Sequence, residues 1–137
     1  MLTNADITIV NRKRVDRDEV LLKTVIRNVA WHTAKSASSG NISENADTLK
    51  LRIPIDADFG GKTYVDSIAF ENMTMEEAEK CWTLAPSDIV VRGEVTAEKV
   101  TQTELVKSNQ QVFLITDFSD NRDLGSDAVK HWRVGGS

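Results

Sequence analysis

The side chains of this sequence best suited to chemistry are carboxylates gathered in two short stretches. Asp56 and Asp58 precede a Gly60-Gly61 pair, and Asp117, Asp120, Asp123 and Asp127 share one polar segment. Hard oxygen ligands of this type hold divalent cations such as calcium. A calcium loop opening at Asp56 needs a bidentate glutamate at position 67, where Ser67 stands. The aspartates of 117–127 read as a solvated acidic turn. No metal site is therefore expected, and Asp56, Asp58, Asp117 and Asp120 are the positions where one would form if it did.

Other chemistries fail on spacing. Gly60-Gly61-Lys62-Thr63 ends like a phosphate loop, but the pattern's first glycine falls on Asp56. Cys81 is the one cysteine, which excludes an internal disulfide and a cysteine-cluster zinc site. Next to Trp82 it reads as packing. His32 and His131 are isolated, and no serine sits in a nucleophile elbow. Trp31, Trp82 and Trp132 are expected as core anchors before stacking platforms. The expectation is a protein with no catalytic residue and no cofactor.

Charge narrows the partners. The 137 residues hold 17 basic and 21 acidic side chains, a net charge of −4, with 40% hydrophobic residues. That is the composition of one folded domain, spanning 1–137. Residues 71–137 carry 7 basic and 12 acidic groups, so the deficit lies in the second half. The basic cluster Arg12, Lys13, Arg14 and Arg17 is interleaved with Asp16, Asp18 and Glu19, and reads as a solvated hairpin turn. Tight non-specific nucleic-acid binding is not expected from this balance. No apolar run reaches the ~18 residues of a membrane span, and no membrane partner is expected.

The elements that must position these groups are mostly strands. Ile7 to Val10 is a short β-branched run, and Asn11 to Asp18 follows as a turn. Val20 to Thr33 is extended, but its apolar residues change parity, which a bulge near Arg27-Asn28 explains. Lys35 to Asp47 is a long polar loop. Thr48 to Pro54 alternates cleanly, with Leu49, Leu51 and Ile53 on one face and Lys50 and Arg52 on the other. Residues 55–85 form an irregular, partly helical excursion, with a helix over Met75 to Cys81 opened by the capping box Thr74–Glu77. Asp88 to Arg92, Gln111 to Phe118 and Val129 to Val134 complete the strands. In Gln111 to Phe118 apolar residues on both faces suggest a covered strand. A second capping box, Thr101–Glu104, predicts a helix toward Ser108. The fold class is mainly β: a small β-barrel or sandwich with two short helices and a long polar loop.

Several segments carry a resemblance. They are Asp6-Ile7-Thr8-Ile9-Val10-Asn11-Arg12, Thr24-Val25-Ile26-Arg27-Asn28-Val29-Ala30-Trp31, Arg52-Ile53-Pro54-Ile55-Asp56-Ala57-Asp58, Trp82-Thr83-Leu84 with Ser87-Asp88-Ile89-Val90-Val91-Arg92-Gly93, Thr116-Asp117-Phe118-Ser119-Asp120-Asn121-Arg122, and the terminal His131-Trp132-Arg133-Val134-Gly135-Gly136. This order resembles a family of small phage and prophage proteins of Gram-positive bacteria. The layout resembles the head–tail connector group, the stopper, head-closure and minor capsid proteins. That resemblance implies a virion protein that acts by assembling into a ring of its own copies and not by catalysis. It implies portal or adaptor and tail proteins as neighbours, and DNA that passes through the channel without specific binding. By the same analogy the long loop, with Lys35, Ser38, Ser39, Asn41, Glu44 and Asp47, is the interaction element. A tail-completion or tail-terminator protein is the alternative within this class. A small metal-dependent enzyme or binding module is the alternative outside it.

Overall fold

The computed structural model describes residues 3–15, 17–36, 46–95, 111–123 and 130–137. Six antiparallel strands close into a barrel in the order β1 (Ala5–Val15), β2 (Asp18–Ser36), β3 (Ala46–Pro54), β8 (His131–Gly136), β7 (Val112–Asn121) and β6 (Ile89–Arg92), and β6 returns to β1. Between β3 and β6 the chain forms β4 (Thr63–Tyr64), α1 (Ser67–Glu71), α2 (Met75–Ala78) and β5 (Cys81–Trp82), with β4 and β5 paired in parallel. The mainly β class with two short helices is thus observed, and the sheet is closed.

Alternation fills the interior. Ile7 and Ile9 from β1, Leu49, Leu51 and Ile53 from β3, and Trp132 and Val134 from β8 are buried in one cluster. Small barrels of this strand number have no lumen to spare, and side chains occupy it. Two bulges keep the pattern inward. The register steps from Ile7↔Ile26 to Ala5↔Val29, so β2 carries one extra residue, and Asn28 there has a φ of 67°. Inward parity switches from Ile26 to Val29 and Trp31 across it. On β7 the step between Ile115 and Asp117 does the same. Phe118 therefore packs on the cluster with Phe113 and Ile115, and Leu114 is exposed. The expectation of a strand covered on both faces holds at Val112, which packs on an outer cluster, and fails at Leu114. The outer face of β1 and β6 is covered, where Val10, Ile89 and Val91 are buried with Val95.

The excursion closes one barrel end. β1, β3 and β7 finish at that end and β2, β6 and β8 begin there, so the chain from Pro54 to Ile89 crosses it. Asp58 resumes pairing with β2 at Arg27 after Pro54 ends β3. Phe59, Tyr64 and Trp82 pack on Trp132, with Trp82 to Trp132 ring centroids at 5.0 Å and Phe59 stacked on Trp82 at 5.3 Å. The three tryptophans are buried anchors, as their type suggested.

Four local expectations change. The Asn11–Asp18 turn is strand as far as Val15, and Lys13 is buried, 2% exposed. Its ammonium donates to the carbonyls of Phe70 at 2.6 Å and Glu71 at 3.2 Å and lies 5.3 Å from the Phe70 ring centroid. Three donors on a flexible stem make lysine able to close the carbonyl end of a short helix. The 35–47 loop is shorter than expected, because β2 runs to Ser36 and β3 starts at Ala46. The helix capped by Thr74 ends at Ala78, and Cys81 is in a strand. Asp66 caps α1, a helix the sequence reading did not foresee. The expected helix at Thr101–Ser108 lies outside the described residues.

Trp132→Ala removes the ring that Phe59, Tyr64 and Trp82 share. Truncating a buried tryptophan costs about 3–5 kcal/mol. A matching fall in urea-unfolding stability is expected, with amide protection lost first in residues 55–85.

Candidate functional site

Register builds a basic surface on one wall of the barrel. On the outer face of β2, β3 and β8, His32 lies opposite Lys50 and Arg52 lies opposite Arg133, with Ala30 next to Arg52. His32, Lys50, Arg52 and Arg133 are exposed. They come from alternate positions of strands whose other faces hold Trp31, Leu49, Leu51, Ile53, Trp132 and Val134. Among the described residues Lys50, Arg52 and Arg133 have no ion-pair partner. Asp117 on β7 shares the face beyond Gly135, with its carboxyl over that glycine, where a side chain would collide with it.

A groove of about 510 Å³ runs along this wall, lined by Thr3, Asn4, Ala30, His32, Lys50, Arg52 and Arg133 among others. Asn4 forms its rim by clamping β2. Its side chain donates to the Trp31 carbonyl at 2.9 Å and accepts from the Trp31 amide at 2.7 Å. Directly opposed like charges destabilise a sheet. Arg52 facing Arg133 is therefore a local penalty in the folded monomer, which an anionic group from outside would relieve.

The opposite charge collects on the excursion. Asp56, Asp58, Asp66, Glu71, Glu76, Glu77 and Glu79 stand against Lys62 and Lys80 in residues 55–85, and all seven acids are exposed. Lys62 is occupied at the barrel end, donating to the Lys23 carbonyl at 2.7 Å and the Thr24 hydroxyl at 3.1 Å. Its partial burial lowers its pKa. On α1, Ile68 is 75% exposed beside these carboxylates.

The positions singled out for metal binding do not converge. Asp56 is exposed. Asp58 accepts from the Gly60 amide at 2.9 Å, an aspartate turn. Asp117 accepts from the Thr116 hydroxyl at 3.0 Å. Asp120 is held by Arg122 through two nitrogens, at 2.6 and 2.8 Å, and this pairing keeps its pKa below the usual carboxylate value. Arg122 in turn lies 5.0 Å from the Tyr64 ring centroid and 5.1 Å from that of Trp132, so Asp120 anchors a cation over the aromatic cluster. Among the described residues no three metal-ligating side chains form a group. Of the loop residues, Lys35 and Asp47 oppose each other at strand ends. Ser38, Ser39, Asn41 and Glu44 lie outside the described residues.

One carboxylate is strongly perturbed. Asp88, 3% exposed, accepts from the Asn11 amide group at 2.9 Å and from the Arg12 backbone at 3.2 Å. Asn11 also donates to the Thr83 carbonyl at 2.7 Å and accepts from the Thr83 amide at 3.3 Å, so it continues the β1 ladder where β6 has not begun. Burial raises the Asp88 pKa from 3.8 to about 6. Its carboxyl oxygens are engaged by Asn11 and the Arg12 backbone, so this aspartate ties the excursion to the barrel.

What the fold and surface define is a small closed barrel that presents a basic wall and an acidic, helix-bearing end. The chain belongs to the family of unknown function DUF6751, which matches residues 2–137. No curated protein and no solved structure matches it. Among the described residues no helix is long and apolar enough to cross a membrane.

Two outcomes follow. Native Asp88 keeps a proton between about pH 4 and 6 that the unfolded chain has released, so stability falls as pH rises through that window and levels above it. The difference amounts to roughly 3 kcal/mol for a shift of this size. Asp88→Asn, which cannot ionise, is expected to lose that slope in urea titrations from pH 4 to 7. At the wall, Arg52→Thr is expected to stabilise the monomer by up to about 0.5 kcal/mol. In 1 M salt, where surface charges are screened, the gain disappears.

Proposed function

We propose that this chain is a structural protein of the phage head–tail connector, of the stopper or head-closure kind, which acts by assembling copies of itself in the virion neck and carries out no reaction. The observation that carries the reading is the basic wall. A folded monomer that holds Arg52 against Arg133 with no ion-pair partner among the described residues is incomplete, and assembly supplies what it lacks. The segment order quoted from the sequence supports the phage setting. A small closed barrel suits the connector layout, and the β2–β3 pair adds reach. Its rungs continue to Lys35↔Asp47 and Ser36↔Ala46, while β8 stops at Gly136 opposite Leu49. An arm standing past the barrel rim offers strand edges to a neighbour.

In this role the partners are other copies in a ring, the portal or adaptor on one side and the tail on the other, with DNA passing through the opening. Cryo-electron microscopy of the assembled particle tests it. Density for this barrel in a ring at the neck is the expected result. Its placement at the tail end of the neck would make it a tail-completion protein, and its absence from the particle would end the proposal.

A further inference from the structure

We infer that the partner of the basic wall is a second copy of this chain, docked head to tail so that its acidic α1–α2 end seats on the β2–β3–β8 face. The inference rests on the assembly role above and adds which two surfaces meet. Three observations point to it. Lys50, Arg52 and Arg133 form a like-charged array with no ion-pair partner among the described residues. Glu71, Glu76, Glu77 and Glu79 are exposed at the closed barrel end, and no ion pair to them is present among the described residues. The most exposed large apolar side chain among the described residues, Ile68 at 75%, stands between the cap of α1 and Glu71.

Geometry keeps the two surfaces from meeting within one copy. The helices lie across the barrel end, on the chain from Pro54 to Ile89, and the basic groove lies on the wall. Charge complementarity that cannot be satisfied internally is satisfied between copies. Two different patches on each copy make a heterologous contact, and such a contact builds a ring when its repeated rotation closes. Ile68 enters the groove of about 510 Å³ as the apolar anchor, and the glutamates align with the cations around it. Complementary charges of this kind set orientation and partner choice more than raw affinity. Nucleic acid is disfavoured as the occupant, because a net charge of −4 with seven exposed acids on one end repels a polyanion.

The test uses paired charge reversals in the full chain. Sedimentation velocity at low salt is expected to show concentration-dependent self-association of the wild type, weakened at least tenfold in 0.5 M salt. Arg52→Glu with Arg133→Glu, and separately Glu71→Lys with Glu76→Lys, should each leave a monomer with an unchanged circular dichroism spectrum. Mixed one to one, the two variants should associate, since each offers the surface that complements the other. Ile68→Ser, on an exposed residue, should weaken wild-type association at least tenfold without altering the melting curve. A wild type that stays monomeric at low salt overturns the inference, as does association insensitive to either reversal, or a mixture that remains monomeric. If the wall reversal abolishes binding of a DNA duplex while self-association persists, the wall is a nucleic-acid surface and the inference fails. Loss of self-association docking with neck incorporation intact would leave the connector reading standing. Its own failure is absence from the neck.

Discussion

The register between β3 and β8 is the constraint on which the rest depends. Ile53 opposite Trp132 and Leu51 opposite Val134 direct four large apolar side chains into the barrel. Strand side chains alternate, so the same pairing turns Arg52 and Arg133 outward to face each other. A slip of one residue would expose the core set and bury the cations, and neither is tolerable. The charged wall is therefore not a separable decoration. It is the reverse side of the core, fixed by the same hydrogen bonds.

The aromatic cluster extends that constraint to the barrel end. Trp132 belongs to β8, yet its ring is the surface on which Phe59, Tyr64 and Trp82 settle. Polar ties then fix the excursion: Lys13 to the end of α1, Asn11 to Thr83, and Arg122 over the rings with Asp120 as its counter-ion. Each ties a charged or amide side chain to a backbone or ring that would otherwise be unsatisfied or uncovered. The consequence is positional. The carboxylates of α1 and α2 are held at one end of a rigid body whose cations are held on its side.

Much of the fold was legible because its signals are local. Leu49, Leu51 and Ile53 alternate with Lys50 and Arg52, Pro54 ends the strand, Asn28 marks a bulge, and Thr74 caps a helix. What was hidden depends on contacts distant in the chain. Lys13 within a basic run reads as solvated, and only the approach of α1 buries it. The bulge at Thr116, with no glycine or asparagine to announce it, moved Phe118 to the inner face. The basic wall was the chief omission. Its residues sit at 32, 50, 52 and 133, and the net acidic charge conceals them until pairing sets them side by side. Asp66 ahead of Ser67 was an available N-cap signal for α1 that the excursion's irregular composition obscured.

The central claim is that the basic wall of one copy receives the acidic end of another. Zero-length carbodiimide cross-linking of an equimolar mixture of ¹⁴N- and ¹⁵N-labelled protein at low salt addresses it directly, because only touching amine and carboxyl groups are joined. The expected product is a mixed-isotope peptide pair linking Lys50 to Glu71, Glu76 or Glu77. Lys50 joined only within single-isotope pairs, or to no glutamate of the α1–α2 end, would contradict it.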